Sequence, residues 1–131
     1  MIVLDTHVWV WWVSGVRALS EPAGRAIESA IADRSLCVSC ISAWEVALLA
    51  QRGRLELTMD LADWIAGSEA LPFLRFVPVD NRIAVRSTRL DDYPHSDPAD
   101  RIIVSTAQLL GAKLVTRDER LWSYPHVETI W

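Results

Sequence analysis

A regular alternation of short apolar segments with amphipathic helical segments constrains the fold of this chain most strongly. The apolar segments predict strands at Ile2–Leu4, Leu36–Cys40, Phe73–Val79, Lys113–Thr116 and Val127–Ile130. Pro72 and Pro78 bracket the third strand, as expected for an edge strand. Strands that alternate with helices form parallel sheets. We therefore predict an α/β fold with a central parallel sheet of four or five strands and helices on both faces.

Capping residues and prolines predict where the helices begin and end. The predicted helices run from the Ser20 cap to Ile31, from Ser42 to Gly53, over Thr58–Ala66, from Asp80 across 83–85, and from Asp97 to Gly111. The helix at Ser42 is predicted from a capping-box pattern, Ser42-Ala43-Trp44-Glu45. The Val8–Val13 segment is either a helix or an extension of the first strand.

Length, charge and cysteine content limit the kinds of fold and function that this chain can have. The chain has 131 residues, 51% hydrophobic and 23% charged, which predicts a single folded domain over residues 1–131. Its net charge of −4 gives no general basic field, so contact with nucleic acid has to be local or assisted by a metal. Cys37 and Cys40 form one isolated C-x-x-C pair in a predicted buried strand, and we assign it neither a zinc nor a redox role.

The apolar Met1–Val13 run does not predict a membrane anchor. It contains Asp5 and His7, and its length is insufficient to cross a bilayer. We therefore expect no membrane association and a cytoplasmic location.

Carboxylates follow the predicted strands or begin the helices after them. Asp5 follows the first strand, and Glu45 lies in the predicted first turn after the second strand. Asp100 lies in the first turn of the late helix, Asp118 follows the fourth strand, and Asp97 is a fifth candidate. Ligands of open parallel sheets bind beyond the carboxyl ends of the strands. Carboxylates gathered there repel one another unless cations neutralise them, so this pattern predicts a site for Mg²⁺ or Mn²⁺.

Helix capping is the alternative role for most of these acids. Glu45 could complete a capping box with Ser42, and Asp97 could be an N-cap. Asp100 and Asp118 could stabilise the positive end of a helix dipole. Asp5 lacks such an explanation unless it caps the segment that follows it.

Tryptophans form a second conspicuous feature. Trp9, Trp11 and Trp12 cluster near the amino end, which predicts core packing or a protein interface. We expect Trp44 to lie in the core. A surface near Trp11, Trp12 and Trp64 would suit a second copy of the chain or a partner helix.

Four segments in this order resemble the PIN domain and, more narrowly, its VapC-type toxins, the ribonuclease halves of bacterial type II toxin–antitoxin pairs. These segments are Asp5-Thr6-His7, Ser42-Ala43-Trp44-Glu45, Asp97-Pro98-Ala99-Asp100-Arg101-Ile102-Ile103 and Thr116-Arg117-Asp118-Glu119. The resemblance runs from Ile2 to the last strand. It implies a PIN-like sheet and endonucleolytic cleavage of RNA by water that Mg²⁺ or Mn²⁺ activates. It also implies a homodimer and inhibition by a small antitoxin protein.

The resemblance also implies roles for individual residues. The positions of the catalytic, metal-binding acids are Asp5, Glu45, Asp100 and Asp118, and the metal ligands could also include Asp97. Thr6 and Thr116 would support the site, while Arg101 and Arg117 would contact phosphates that flank the cleaved bond. Ala99 departs from the family, because many relatives carry a larger apolar residue there.

Two other classes compete with a nuclease. A phosphotransfer or phosphatase-type α/β domain fits poorly, because His7 stands where a haloacid-dehalogenase-type hydrolase needs a second aspartate. A receiver-type phosphoacceptor needs paired acids after its first strand, where Asp5 is alone. The remaining alternative is a non-catalytic interaction module with the PIN fold.

Overall fold

Five parallel strands form one sheet in the computed structural model, which describes residues 1–15 and 18–131. The strands are β1 (Ile2–Leu4), β2 (Leu36–Ser39), β3 (Leu74–Val77), β4 (Lys113–Val115) and β5 (Thr129–Ile130). Their order is β3-β2-β1-β4-β5, and every neighbouring pair is parallel. The predicted parallel sheet is confirmed, with β3 at one edge as its flanking prolines indicate.

The described residues form seven helices. They are α1 (Thr6–Ser14), α2 (Glu21–Asp33), α3 (Cys40–Gln51), α4 (Leu61–Glu69), α5 (Asn81–Ser87), α6 (Pro98–Leu110) and α7 (Glu119–Trp122). The ambiguous Val8–Val13 segment is helical, because Asp5 caps α1 and Gly15 ends it with a φ of 68°. Ser20, Asp80 and Asp97 are N-caps as predicted.

The capping box predicted at Ser42 is wrong. Ser39 is the N-cap of α3, and its side chain accepts a hydrogen bond from the backbone N–H of Ile41. The helix therefore begins at Cys40, Ser42 is its third residue, and Glu45 is its sixth residue rather than a first-turn acid. Because β2 ends at Ser39, Cys40 is an exposed helical residue and the predicted strand ends one residue early.

Alternation along the strands separates two hydrophobic clusters, one on each face of the sheet. Ile2 and Leu4 face a cluster to which α1, α2 and α4 contribute. Val3, between them, faces a cluster formed with α5, α6 and α7. Both faces of the central strand are thus covered, as parallel sheets require.

The tryptophans lie only partly as predicted: core packing is confirmed for Trp9, whereas Trp64 and Trp44 depart from the prediction. Trp9 is fully buried against Trp64 and Phe76. Trp64 is also buried, so it cannot belong to the exposed partner surface suggested above. Trp44 is 55% exposed rather than in the core. The reason is helical spacing: the inward positions of α3 are Ser42 and Val46, which places Trp44 on the opposite side of the helix.

Across residues 1–15 and 18–131, none of the helices combines the length and the apolar character that crossing a membrane requires.

The order of the strands determines where a ligand can bind. From β1 the chain proceeds to β2 and β3 on one side, and later returns to place β4 on the other side of β1. The segments after β1 and β4 therefore diverge to opposite faces and leave a crevice between them, which is where open parallel sheets bind ligands.

Candidate active site

A cleft of about 520 Å³ lies at this crevice. Its walls include all five predicted acids together with Arg117, and the full lining is Asp5, His7, Val8, Trp11, Glu45, Leu49, Asp97, Asp100, Arg117, Asp118, Glu119 and Arg120. The acids come from four separate segments of the sequence. The expectation that they converge at the carboxyl edge of the sheet therefore agrees with the structure, while their roles stay predictions.

Asp5 connects the two strands that flank the crevice. Its Oδ1 atom accepts a hydrogen bond from the backbone N–H of Thr6 at 2.8 Å, so this acid also caps α1. Its Oδ2 atom accepts a hydrogen bond from the hydroxyl of the buried Thr116 at 2.7 Å. The Thr116 hydroxyl in turn accepts from the backbone N–H of Asp118. Asp5 and the turn that carries Asp118 are thus held in one network.

Glu45 is held by the buried Thr6. The Thr6 Oγ1 atom lies 2.6 Å from Oε1 of Glu45 and 2.8 Å from Oγ of Ser42. A hydroxyl has one proton and a carboxylate only accepts, so Thr6 donates to Glu45 and Ser42 donates to Thr6. Ser42 is therefore a buried partner of the predicted supporting residue Thr6, although it does not cap the helix.

The first turn of α6 carries two of the acids. Asp97 is the N-cap, and its Oδ1 accepts from the backbone N–H groups of Ala99 at 2.9 Å and Asp100 at 3.3 Å. One carboxylate oxygen from each of Glu45, Asp97 and Asp100 lies within 4.8 Å of the others. The capping alternative for Asp97 is thus confirmed, and capping does not remove it from the cleft. Ala99 is buried beneath this turn.

Asp118 begins α7 and is paired with Arg120. It accepts from the backbone N–H of Arg120 at 3.0 Å and from its Nε at 3.2 Å. Burial raises the pKa of Asp118, but the hydrogen bonds from Arg120 and the electrostatic effect of the nearby His95 outweigh burial and hold the pKa below the usual value. Asp118 is therefore ionised at neutral pH.

His95 is the residue of this site that sequence reasoning missed. Its side chain is 5% exposed, and Nε2 lies 2.6 Å from Oδ2 of Asp118. Nδ1 lies 3.9 Å from Oδ2 of Asp100. The sequence offers little signal for it, because His95 lies in an irregular loop where no periodicity indicates its direction. Its place two residues before the Asp97 cap is the one hint.

Three other acids have raised pKa values. Burial is the main cause for Asp5 and Glu45. For Asp100, burial and then repulsion by neighbouring carboxylates raise the pKa to about 8. A carboxyl group with that pKa is mostly protonated at pH 7, although a bound cation would favour its ionised form.

The two predicted RNA-contacting arginines lie in different surroundings. Arg117 lines the cleft, with its guanidinium 5.7 Å from the centre of the Trp11 ring. Arg101 instead donates to the backbone oxygen of Ser87 and lies over the Tyr93 ring at 5.2 Å. The geometry favours Arg117 as a contact for a phosphate.

The donor set of the cleft fits a divalent cation. Its carboxylates supply the oxygen ligands that Mg²⁺ and Mn²⁺ prefer. Their mutual repulsion, expressed in the raised pKa of Asp100, is relieved by positive charge between them. Asp5 and Glu45 are each fixed by a buried threonine hydroxyl, so the oxygens are positioned in advance.

Comparisons with known proteins agree with this fold. Ribonuclease VapC22 of Mycobacterium tuberculosis is 36% identical over 132 residues, which cover 99% of this chain and 98% of that protein. VapBC2 from Rickettsia felis, solved bound to a promoter DNA fragment, superposes with a TM-score of 0.69 at 15% identity, covering 98% of this chain and 97% of that one. FitAcB from Neisseria gonorrhoeae gives 0.66 at 24% identity, covering 98% and 96%. The PIN domain family matches residues 2–126, and the chain therefore belongs to that family.

Proposed function

We propose that this protein is a metal-dependent endoribonuclease that acts as the toxin of a toxin–antitoxin pair. The observation that carries the proposal is the convergence of Asp5, Glu45, Asp97, Asp100 and Asp118 on one cleft. Its similarity to a protein named as a VapC ribonuclease, over nearly the whole length of both chains, supports RNA as the substrate.

The proposed cofactor is Mg²⁺ or Mn²⁺, held by the five acids of the cleft. When bound, such an ion lowers the pKa of water and neutralises charge on the phosphodiester that is cleaved. The chain's own residues orient the site: Thr116 fixes Asp5, and Thr6 fixes Glu45. The guanidinium of Arg117 on the wall of the cleft would contact a phosphate next to the cleaved bond.

The proposed partners are a small antitoxin protein and a second copy of this chain. Support comes from the similar structures, among them a toxin–antitoxin complex from Klebsiella pneumoniae with a TM-score of 0.65 at 23% identity, covering 97% of this chain and 95% of that one. Expression of the wild type alone should arrest growth, and co-expression of the small protein encoded next to it should restore growth. Light scattering of the purified chain should give twice the monomer mass.

The direct test is cleavage of RNA by the purified full-length chain with Mn²⁺, with Mg²⁺ or with EDTA. Asp5→Asn is the informative variant, because it removes one charge and keeps the shape of a helix cap. Asp80→Asn is its matched control: Asp80 also lies just after a strand and caps the next helix, but it is exposed and outside the cleft. Asn caps helices as well as Asp does, so both variants should fold.

We expect the wild type and Asp80→Asn to cleave RNA with either metal and to be inactive in EDTA. Asp5→Asn should lose cleavage, and it should also lose the increase in melting temperature that Mn²⁺ gives the wild type. Wild-type protein that binds Mn²⁺ but cleaves no RNA would favour the non-catalytic interaction module. Equal activity of Asp5→Asn and Asp80→Asn would refute the proposed site.

A further inference from the structure

The imidazole of His95 lies between two of the carboxylates in the acidic cleft. Nδ1 is 3.9 Å from Oδ2 of Asp100, and Nε2 is 2.6 Å from Oδ2 of Asp118. One nitrogen of His95 and one oxygen from each acid lie within 4.8 Å of one another. Ligand atoms of one cation lie about 3 Å apart when adjacent and up to about 4.5 Å apart when opposite, so three donors this close together can share one ion.

Packing holds the His95 ring in this orientation. Its side chain is 5% exposed, and the Tyr93 ring lies against it with the ring centres 5.5 Å apart. Tyr93 is itself fixed by an edge contact with Tyr124 at 5.4 Å and by the Arg101 guanidinium at 5.2 Å. A donor held by packing loses little conformational freedom when it binds a ligand.

The Nε2 atom of His95 is buried without a well-aligned partner. Among the residues that the structure describes, none completes a hydrogen bond to this nitrogen, although the Asp118 oxygen is close. A buried polar atom without an aligned partner is less stable than one that completes its hydrogen bond. A cation among His95, Asp100 and Asp118 would satisfy the nitrogen and both carboxylates together.

We propose that His95 is a nitrogen ligand of a divalent cation shared with Asp100 and Asp118, and that it makes the site prefer Mn²⁺ to Mg²⁺. Mg²⁺ binds oxygen and retains its waters, whereas transition-metal ions accept imidazole nitrogen readily. This inference rests on the proposed metal-dependent function, and it adds a ligand that none of the acidic motifs contains.

The first test measures the affinities of the full-length chain for Mn²⁺ and Mg²⁺ by calorimetry. His95→Asn is compared with wild type and with His126→Asn, since His126 is an exposed histidine that packs on Tyr124 and does not line the acidic cleft. We expect His95→Asn to lose about tenfold or more in Mn²⁺ affinity and less than about threefold in Mg²⁺ affinity. His126→Asn should match the wild type for both ions.

Two outcomes of the calorimetry would overturn the assignment. Equal losses for both ions would mean that His95 only positions Asp118, and unchanged affinities would mean that it has no role at the metal. Absence of any Mn²⁺ or Mg²⁺ binding by the wild type would instead refute the proposed metal site itself, so the two failures are distinguishable.

The second test detects the ligand atom directly, first in the wild type. Pulsed electron paramagnetic resonance of Mn²⁺-loaded wild type should show coupling to an imidazole nitrogen, and the coupling should change when histidine is labelled with ¹⁵N. It should vanish in His95→Asn and persist in His126→Asn. A Mn²⁺ spectrum of the wild type without nitrogen coupling, or coupling that survives in His95→Asn, would show that His95 is not a ligand.

Discussion

Two helices of this protein begin with the same Asp-x-x-Asp spacing, yet only one of them faces the cleft. In α4, Asp60 caps the helix by accepting a hydrogen bond from the N–H of Ala62 at 3.2 Å, and Asp63 lies exposed in the first turn. In α6, Asp97 caps the helix in the same way, and Asp100 occupies the first turn.

The surroundings of the two first-turn acids differ. Asp100 is mostly buried and feels the charges of Asp5, Glu45 and Asp118, which together with burial raise its pKa to about 8. Asp63 does not line the cleft. The shared spacing therefore accounts for the start of each helix, whereas position relative to the strand ends determines whether the acid can take part in chemistry.

Substitution of the two first-turn acids should give the largest difference between α4 and α6. Asp100→Asn should lower RNA cleavage by at least about 100-fold, since it removes a charge from the cleft, whereas Asp63→Asn should leave cleavage unchanged. Single-turnover assays with Mn²⁺ measure the difference, and circular dichroism checks that both variants fold. Similar activities for the two variants would contradict a functional role for Asp100.

The pH dependence of stability should also distinguish Asp100 from Asp63. The folded pKa of Asp100, about 8, exceeds its usual value of 3.8, so its stabilising contribution is complete below about pH 4 and is lost as the pH rises through 8. Urea melts in EDTA should show roughly 2 to 3 kcal/mol lost between pH 5 and 9, discounted for coupling between the acids. This loss should persist in Asp63→Asn and diminish in Asp100→Asn. If the free energy of unfolding falls no more for the wild type than for Asp100→Asn between pH 5 and 9, the raised pKa of Asp100 is contradicted.

The cleft that α6 faces also contains a hydrogen bond that joins Asp5 to Thr116. Thr116→Val removes the donor to Asp5 and leaves the N–H of Asp118 without its acceptor, so we expect a loss of about 1 to 2 kcal/mol in the free energy of unfolding. Thr106→Val is the control, because the equally buried Thr106 hydroxyl bonds only to the Ile102 carbonyl of its own helix. Chemical denaturation should show a smaller loss for the control.

The caps should give the smallest effect on stability. Asp60→Ala and Asp97→Ala should each cost about 1 kcal/mol, because each removes a side-chain acceptor from a helix start. Asp97→Asn should restore the stability while remaining weaker in Mn²⁺ binding, which calorimetry measures. Full Mn²⁺ affinity in Asp97→Asn would show that Asp97 is a cap and not a ligand.

The fold and the convergence of the acids were predictable because both follow from the alternation of strands and helices, which predicts a parallel sheet. Parallel strands end at one edge, so acids such as Asp5 and Asp118 that follow β1 and β4 had to lie near each other. The start of α3 was not predictable from the sequence, because Ser39 and Ser42 are both good N-caps. Only the point at which β2 ends decides between them. His95 could not be placed because irregular loops have no repeat from which side-chain direction follows.

The pairing of β1 with β4 also determines when the cleft can form during synthesis of the chain. The hydrogen bond from Thr116 to Asp5 joins residues 111 positions apart. A ribosome makes Asp5 long before it makes Asp118. A truncated product that ends before β4 therefore lacks both the strand that completes the crevice and the acid that follows it. The acidic cleft can therefore form only after the ribosome has passed Asp118.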